Sequence, residues 1–96
     1  MLSVIIPVID EAENLPQLMR ELDRVADEHG YELQTIIVDD GSKDDTWAVI
    51  NRLAAEDPRI LGIRFRRNFG KAAALSAGFH AADGERIVTM RSPSAA

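Results

Sequence analysis

Residues 33–39 read Leu-Gln-Thr-Ile-Ile-Val-Asp and run directly into Asp40-Gly41-Ser42-Lys43-Asp44-Asp45, after which Trp47, Ile50, Leu53 and Ala54 recur at helical spacing. A β-branched run is a strand, a polar segment with glycine is its turn, and a stripe of period 3.6 is a helix. One strand–turn–helix unit is therefore legible here, with the helix running from Thr46 to about Glu56 and Pro58 ending it.

The same rhythm extends in both directions. Upstream, residues 3–8 (SVIIPV) are apolar on both faces, as in a strand covered on both sides, and Pro7 lies near its end where a missing donor costs least. A helix follows, with Leu15, Leu18, Met19, Leu22, Val25 and Ala26 on one stripe. Asn14 is its expected N-cap with Gln17 three residues on, Pro16 fits its first turn, and Gly30 closes it. Downstream, residues 60–65 form a third strand and Asn68-Phe69-Gly70 a turn. A third helix is expected to bury Ala72, Leu75, Phe79 and Ala82 and to end at Gly84, before a fourth strand over residues 86–90. Strict alternation of strand and helix implies right-handed crossovers, parallel strands and helices on both faces. The expected fold is a Rossmann-like α/β half with three layers.

A chain of 96 residues, 46% apolar and 28% charged, has the composition of one small folded domain. It contains no cysteine, which excludes disulfides, thiolate metal sites and a cysteine nucleophile together. Apolar runs are too short for a signal peptide or a spanning helix, so membrane contact is expected to be peripheral or through a partner. The net charge of −5 is uneven: residues 1–57 carry 14 acidic and 4 basic side chains, whereas residues 58–96 carry 2 and 7. The acidic total argues against a nucleic-acid binder. Arg64, Arg66, Arg67 and Lys71 could meet a phosphorylated ligand locally, or they could be a solvated strand end and loop.

In an open parallel sheet the ligand crevice lies beyond the carboxyl ends of the strands. That rule selects residues 9–13, 39–45 and 66–71, which are the polar loops of the chain. The first offers Asp10 and Glu11, the second Asp39 and Asp40, the third Arg67, Asn68 and Lys71. Carboxylates at strand ends can accept from ribose hydroxyls or base N–H groups, and a lysine at a helix start suits phosphate. The bland alternatives are that one of Asp39 and Asp40 caps the next helix while the other is solvated, and that Asp10 and Glu11 are ordinary loop acids near a helix N-terminus. No G-x-G-x-x-G follows the first strand and no Walker lysine pattern occurs, which disfavours a dehydrogenase or P-loop enzyme. His29 and His80 have no ligand or triad spacing, and Trp47, Met19 and Met90 read as packing residues.

Taken together, SVIIPVIDEAENL, IIVDDGSKDDT and RFRRNFGKAAALSAGF are motifs in a fixed order, and through them the chain resembles family 2 glycosyltransferases of the GT-A fold. The resemblance covers residues 2–90, is nearest to the dolichol- or polyprenyl-phosphate sugar synthases, and concerns their N-terminal nucleotide-sugar-binding part. It implies a sheet order of 3-2-1-4, a βαβαβαβ nucleotide-sugar-binding segment over residues 1–90 and an irregular tail over residues 91–96. It also implies that Pro7, Val8 and Glu11 line the nucleoside and that one of Asp39 and Asp40 meets its base or ribose. Arg67, Asn68, Gly70 and Lys71 would approach the diphosphate. Two positions differ from the family habit, which often has an aromatic residue at Val8 and an asparagine at Asp10.

The implied reaction is sugar transfer from a nucleoside diphosphate to an acceptor such as a polyprenyl phosphate, with Mg2+ or Mn2+ offsetting charge on the departing diphosphate in the complete enzyme. Here the family's Asp-x-Asp after the fourth strand is replaced by Arg91-Ser92-Pro93. Arginine and serine cannot replace two hard-oxygen ligands, so no metal site is expected in this chain. The expectation is a truncated, frame-altered or excised donor domain, inactive alone, cytoplasmic with peripheral membrane contact, and homo-oligomeric through an open fourth strand. The alternative is a non-catalytic nucleotide-binding or assembly module.

Overall fold

A computed structural model describes residues 1–92; residues 93–96, the outer part of the expected tail, lie outside the described residues. The elements are β1 (Leu2–Val8), α1 (Leu15–His29), β2 (Leu33–Asp40), α2 (Thr46–Glu56), β3 (Ile60–Phe65), α3 (Lys71–Ala81) and β4 (Arg86–Thr89). All neighbouring strands are parallel, in the order β3-β2-β1-β4. This is the α/β architecture with a four-stranded parallel sheet that the alternation of elements implies.

The register distributes side chains between two cores. Pairing of Ile6 with Ile37, and of Val4 with Thr35, turns Val4, Ile6, Val8, Leu33 and Ile37 toward α1 and α2, where they meet Leu15, Met19, Ala26 and Ile50. Pairing of Ile5 with Ile36 turns Ile5, Ile36 and Val38 toward α3 and its Ala74. Each fully buried isoleucine contributes roughly 1.5–3 kcal/mol, so the central pair β1 and β2 dominates stability. Small residues set the helix distances. A Cβ on Gly62 would lie 2.6 Å from Ile50 Cγ2, and one on Gly78 would lie 2.3 Å from Ile5 Cγ2.

Three local expectations need correction. In α3 the fully buried residues are Ala74 and Gly78; of the expected face, Leu75 and, just past the helix end, Ala82 are partly buried and pack against the cluster of Ile5, Ile36 and Val38, whereas Ala72 and Phe79 are exposed. The helix is apolar nearly all round, so its closest face is chosen by side-chain size. Asn14 makes no side-chain cap hydrogen bond; its Nδ2 instead donates to Glu11 Oε1 at 3.3 Å, while Gln17 Nε2 donates to Glu21. Gly84 does not end α3, which stops at Ala81 with Ala82 extended; its N–H donates to the buried Ser3 hydroxyl, and a Cβ there would meet Met1 O at 2.6 Å. Gly30 does close α1, in the left-handed region at φ 70°.

β4 is the short margin of the sheet, four residues long and exposed throughout, and Met90 N still donates to Ile5 O beyond its end. Charge is concentrated at the lower end of α1. There Arg59 meets Asp23 at 3.2 Å, Asp27 at 3.6 Å and Asp57 at 3.1 Å, tying α1 to the turn before β3.

Candidate functional site

The carboxyl ends of β1, β2 and β3 deliver three loops to one side of the molecule, and backbone-directed carboxylates tie these loops to one another. Asp10 adopts φ 51°, a left-handed conformation that Asp and Asn tolerate better than most residues. Its Oδ1 accepts from Lys43 N at 2.8 Å and Asp44 N at 3.2 Å, and its own N–H donates to Ser42 Oγ. Glu11 is buried, and its N–H donates to Thr46 Oγ1 at 2.9 Å. The first loop is thereby fixed to the second.

Asp39 and Asp40 are adjacent in sequence but fall on opposite faces of the sheet, as the strand period requires. Asp39 is 1% exposed and its Oδ1 accepts from Ser42 N at 2.9 Å. Asp40 is 7% exposed and reaches the third loop, where Oδ1 accepts from Phe69 N at 2.8 Å and Oδ2 from Gly70 N at 3.2 Å. Gly41, at φ 82°, lies so close to this loop that a Cβ would be 2.4 Å from Arg67 C and Asn68 N. Neither acid caps α2. The N-cap position is Asp45, which makes no side-chain cap hydrogen bond, while the preceding Asp44 carboxylate accepts from Thr46 N at 2.9 Å and from the Thr46 hydroxyl. The hydroxyl hydrogen bond is the main reason its carboxyl is held below the usual range.

Between the loops and β4 lies a cleft of about 320 Å³ lined by Pro7, Val8, Ile9, Asp40, Lys71, Leu75, Thr89, Met90, Arg91 and Ser92. Four of the sequence-selected residues, Pro7, Val8, Asp40 and Lys71, thus share one cavity. Glu11, Asp39, Arg67, Asn68 and Gly70 do not line it; the first two are buried beneath the loops, and Arg67 stacks on Phe69 with its guanidinium 4.8 Å from the ring centroid. Sequence reasoning missed Ser92. It is 3% exposed and forms a wall of the cleft together with Arg91. No motif signalled this, because a serine after a strand carries no periodicity.

The cleft combines an apolar shelf from Pro7, Val8, Ile9, Leu75 and Met90 with a carboxylate and an ammonium group. Such a set can hold a flat ring, accept from its N–H or hydroxyl groups, and neutralise a phosphate. A divalent cation fits less well. Beyond β4 the side chains available are the Arg91 guanidinium and the Ser92 hydroxyl, and among the described residues no group of three or more His, Cys, Asp or Glu is placed to hold a metal. These residues do not form a cation site.

Comparisons with known proteins bear on the family and the fold. The prophage bactoprenol glucosyl transferase homolog of Escherichia coli (strain K12) is 38% identical over 89 residues, which is 93% of this chain and 29% of that protein. The undecaprenyl-phosphate 4-deoxy-4-formamido-L-arabinose transferase of Pseudomonas fluorescens (strain SBW25) is 37% identical, over 92% of this chain and 26% of its own length. The chain therefore spans less than a third of these relatives. Among solved structures, the mannosyltransferase PcManGT from Pyrobaculum calidifontis, in complex with GDP-Man and Mn2+, superposes with a TM-score of 0.74 at 29% identity, covering 94% of this chain and 26% of its own. The order β3-β2-β1-β4 is that of the N-terminal Rossmann-like part of the GT-A fold. The model for "Glycosyl transferase family 2" matches residues 3–91, and with nearly the whole chain inside that match, the chain belongs to glycosyl transferase family 2.

Proposed function

We propose that this chain forms the donor-binding part of a sugar transferase that uses a nucleoside diphosphate sugar and a polyprenyl-phosphate acceptor. The observation that carries this reading is the cleft at the carboxyl ends of the strands, where Asp40 and Lys71 flank an apolar shelf. Pro7 and Val8 support the nucleobase, Asp40 accepts from base or ribose, and Lys71 offsets diphosphate charge. Glu11, Asp39 and Gly70 hold the loops in place, and Arg67 and Asn68 lie exposed on the third loop, outside the cleft. Names of the relatives support the acceptor class, since they are bactoprenol and undecaprenyl-phosphate transferases. The cation that accompanies GDP-Man in the related mannosyltransferase would supply charge neutralisation in a complete enzyme.

The test is calorimetric titration with UDP-, GDP- and dTDP-sugars. Binding of one series, lost in Lys71→Ala, supports the reading, and indifference to all three removes it. Arg91 and Ser92 at the place of the metal ligands favour a second reading, a non-catalytic nucleotide-binding or assembly module. That module would bind nucleotide without ever transferring sugar. Both readings place the chain in the cytoplasm with peripheral membrane contact, and among the described residues no helix is long and apolar enough to cross a membrane. Both also include self-association through β4, whose Ile87 and Val88 are exposed at an open edge; light scattering that finds only monomer would remove that element.

A further inference from the structure

Once the cleft is accounted for, an unneutralised cluster of charge is left on the loop between β3 and α3. No Asp or Glu occurs from Pro58 to Ala82, yet Arg59, Arg64, Arg66, Arg67 and Lys71 do. Arg59 is neutralised by its three aspartates and Arg64 lies over the Trp47 ring. Among the described residues Arg66, Arg67 and Lys71 make no ion pair.

Within this basic segment stands Phe69, 54% exposed. Its exposure is not slack. Asp40 holds its N–H and that of Gly70, Gly41 abuts the Arg67–Asn68 backbone, and the ring is braced edge-on by Phe65 and covered on one side by the Arg67 guanidinium. Arg66, Arg67, Asn68 and Phe69 are exposed in succession, and none lines the cleft. A peptide or a nucleic-acid strand would need a groove to seat it, and the cleft described above is not lined by these residues. A protruding aromatic between cations does match a bilayer surface, where the ring enters the acyl boundary and guanidinium groups stay with lipid phosphates.

We propose that the Arg66–Phe69 loop is a membrane-contact element that docks on anionic lipid headgroups, with Phe69 as the inserted anchor. Local charge complementarity supports this occupant: from Pro58 to Ala82 the chain has five basic side chains and no acidic one, and two of the unpaired guanidinium groups, Arg66 and Arg67, flank the exposed ring. The proposal deepens the donor-binding reading by naming the surface turned toward the lipid, and it can fail without it.

The test is co-sedimentation of the 96-residue chain with vesicles of phosphatidylglycerol and phosphatidylcholine, against vesicles of phosphatidylcholine alone, at low salt. Binding should require the anionic lipid. Arg66→Gln should lower partition roughly fivefold, and Phe69→Ala roughly three- to tenfold. Tyr31→Ala, an equally exposed ring before β2 at the opposite end of the sheet, should change nothing. Titrations of Arg66→Gln and Phe69→Ala with the sugar nucleotides should match the parent chain, which separates this proposal from the cleft. Equal binding to both lipids, no loss in Phe69→Ala, equal loss in Tyr31→Ala, or release from vesicles by saturating nucleoside diphosphate would each overturn it.

Discussion

Asp10 and Asp40 hold loops by the same kind of bond, but they divide their oxygens differently, and that difference is testable. Both N–H groups reaching Asp10 end on one oxygen, Oδ1, so an asparagine can accept them equally well. Those reaching Asp40 end on separate oxygens, and an asparagine would turn a donor toward Phe69 or Gly70. Asp10→Asn should therefore stay within about 0.5 kcal/mol of the parent in urea denaturation, with Asp40→Asn costing roughly 1–3 kcal/mol for an unsatisfied buried group. Equal costs would show that the carboxylates act by charge alone. The acidic pair Asp39-Asp40 stands out in the sequence, and of the two only Asp40 lines the cleft. Their separation onto opposite faces follows from the strand continuing through Asp40, one residue beyond the apolar run. The loop-to-loop bonds were not legible, because Lys43 and Asp44 contribute backbone amides that any residue would provide.

At the scale of elements, the strands could be read because β-branched runs ended by polar turns leave little choice. The buried face of α3 could not. Alanines and glycine surround that helix, and the closest approach to the sheet, by Ala74 and Gly78, depends on the absence of bulk rather than on its presence. Gly78→Ala should consequently lower the melting temperature by several degrees, for a cost of roughly 1–3 kcal/mol of overpacking against Ile5, although alanine is the better helix former. Phe79→Ser, a much larger change on the exposed face, should leave it nearly unaltered. The contact between α1 and the turn before β3 responds to pH. Hydrogen bonding to Arg59 lowers the Asp57 carboxyl below its ordinary 3.8, so its contribution is complete above that value and lost as pH falls through the lowered folded value. Asp23 is raised, chiefly by desolvation, and acts in the opposite sense by favouring the fold when protonated. Acid unfolding should be shallower in Asp57→Asn than in the parent below about pH 4, as followed by circular dichroism.

For the whole molecule, a sugar-nucleotide affinity that is modest and unchanged by Mg2+ or Mn2+ is the expected outcome. The cleft offers one ammonium group and a neighbouring guanidinium, but no set of hard-oxygen ligands among the described residues. Calorimetry with and without the metals checks this, and a tenfold gain on adding either would place cation ligands in these 92 residues. The fold was legible over nearly its full length because the alternation, the loop positions and three motifs all pointed to one topology. The lower resolving power at the end of β4 has a physical cause: four exposed residues and a buried Ser92 leave no pattern to read.

That same margin has a kinetic consequence. One wall of the cleft, Thr89 to Ser92, hangs from the shortest strand, which is paired on one side only, while the opposite wall hangs from the doubly paired β1. A segment paired on one side only and exposed at Thr89 and Arg91 should open more often than the centre of the sheet, and the cavity with it. Ligand capture then includes the ordering of this segment, in the manner of folding coupled to binding. Amide exchange should slow on adding sugar nucleotide by a larger factor at Val88 to Met90 than at Ile36 to Val38, where exchange already requires the whole molecule to unfold.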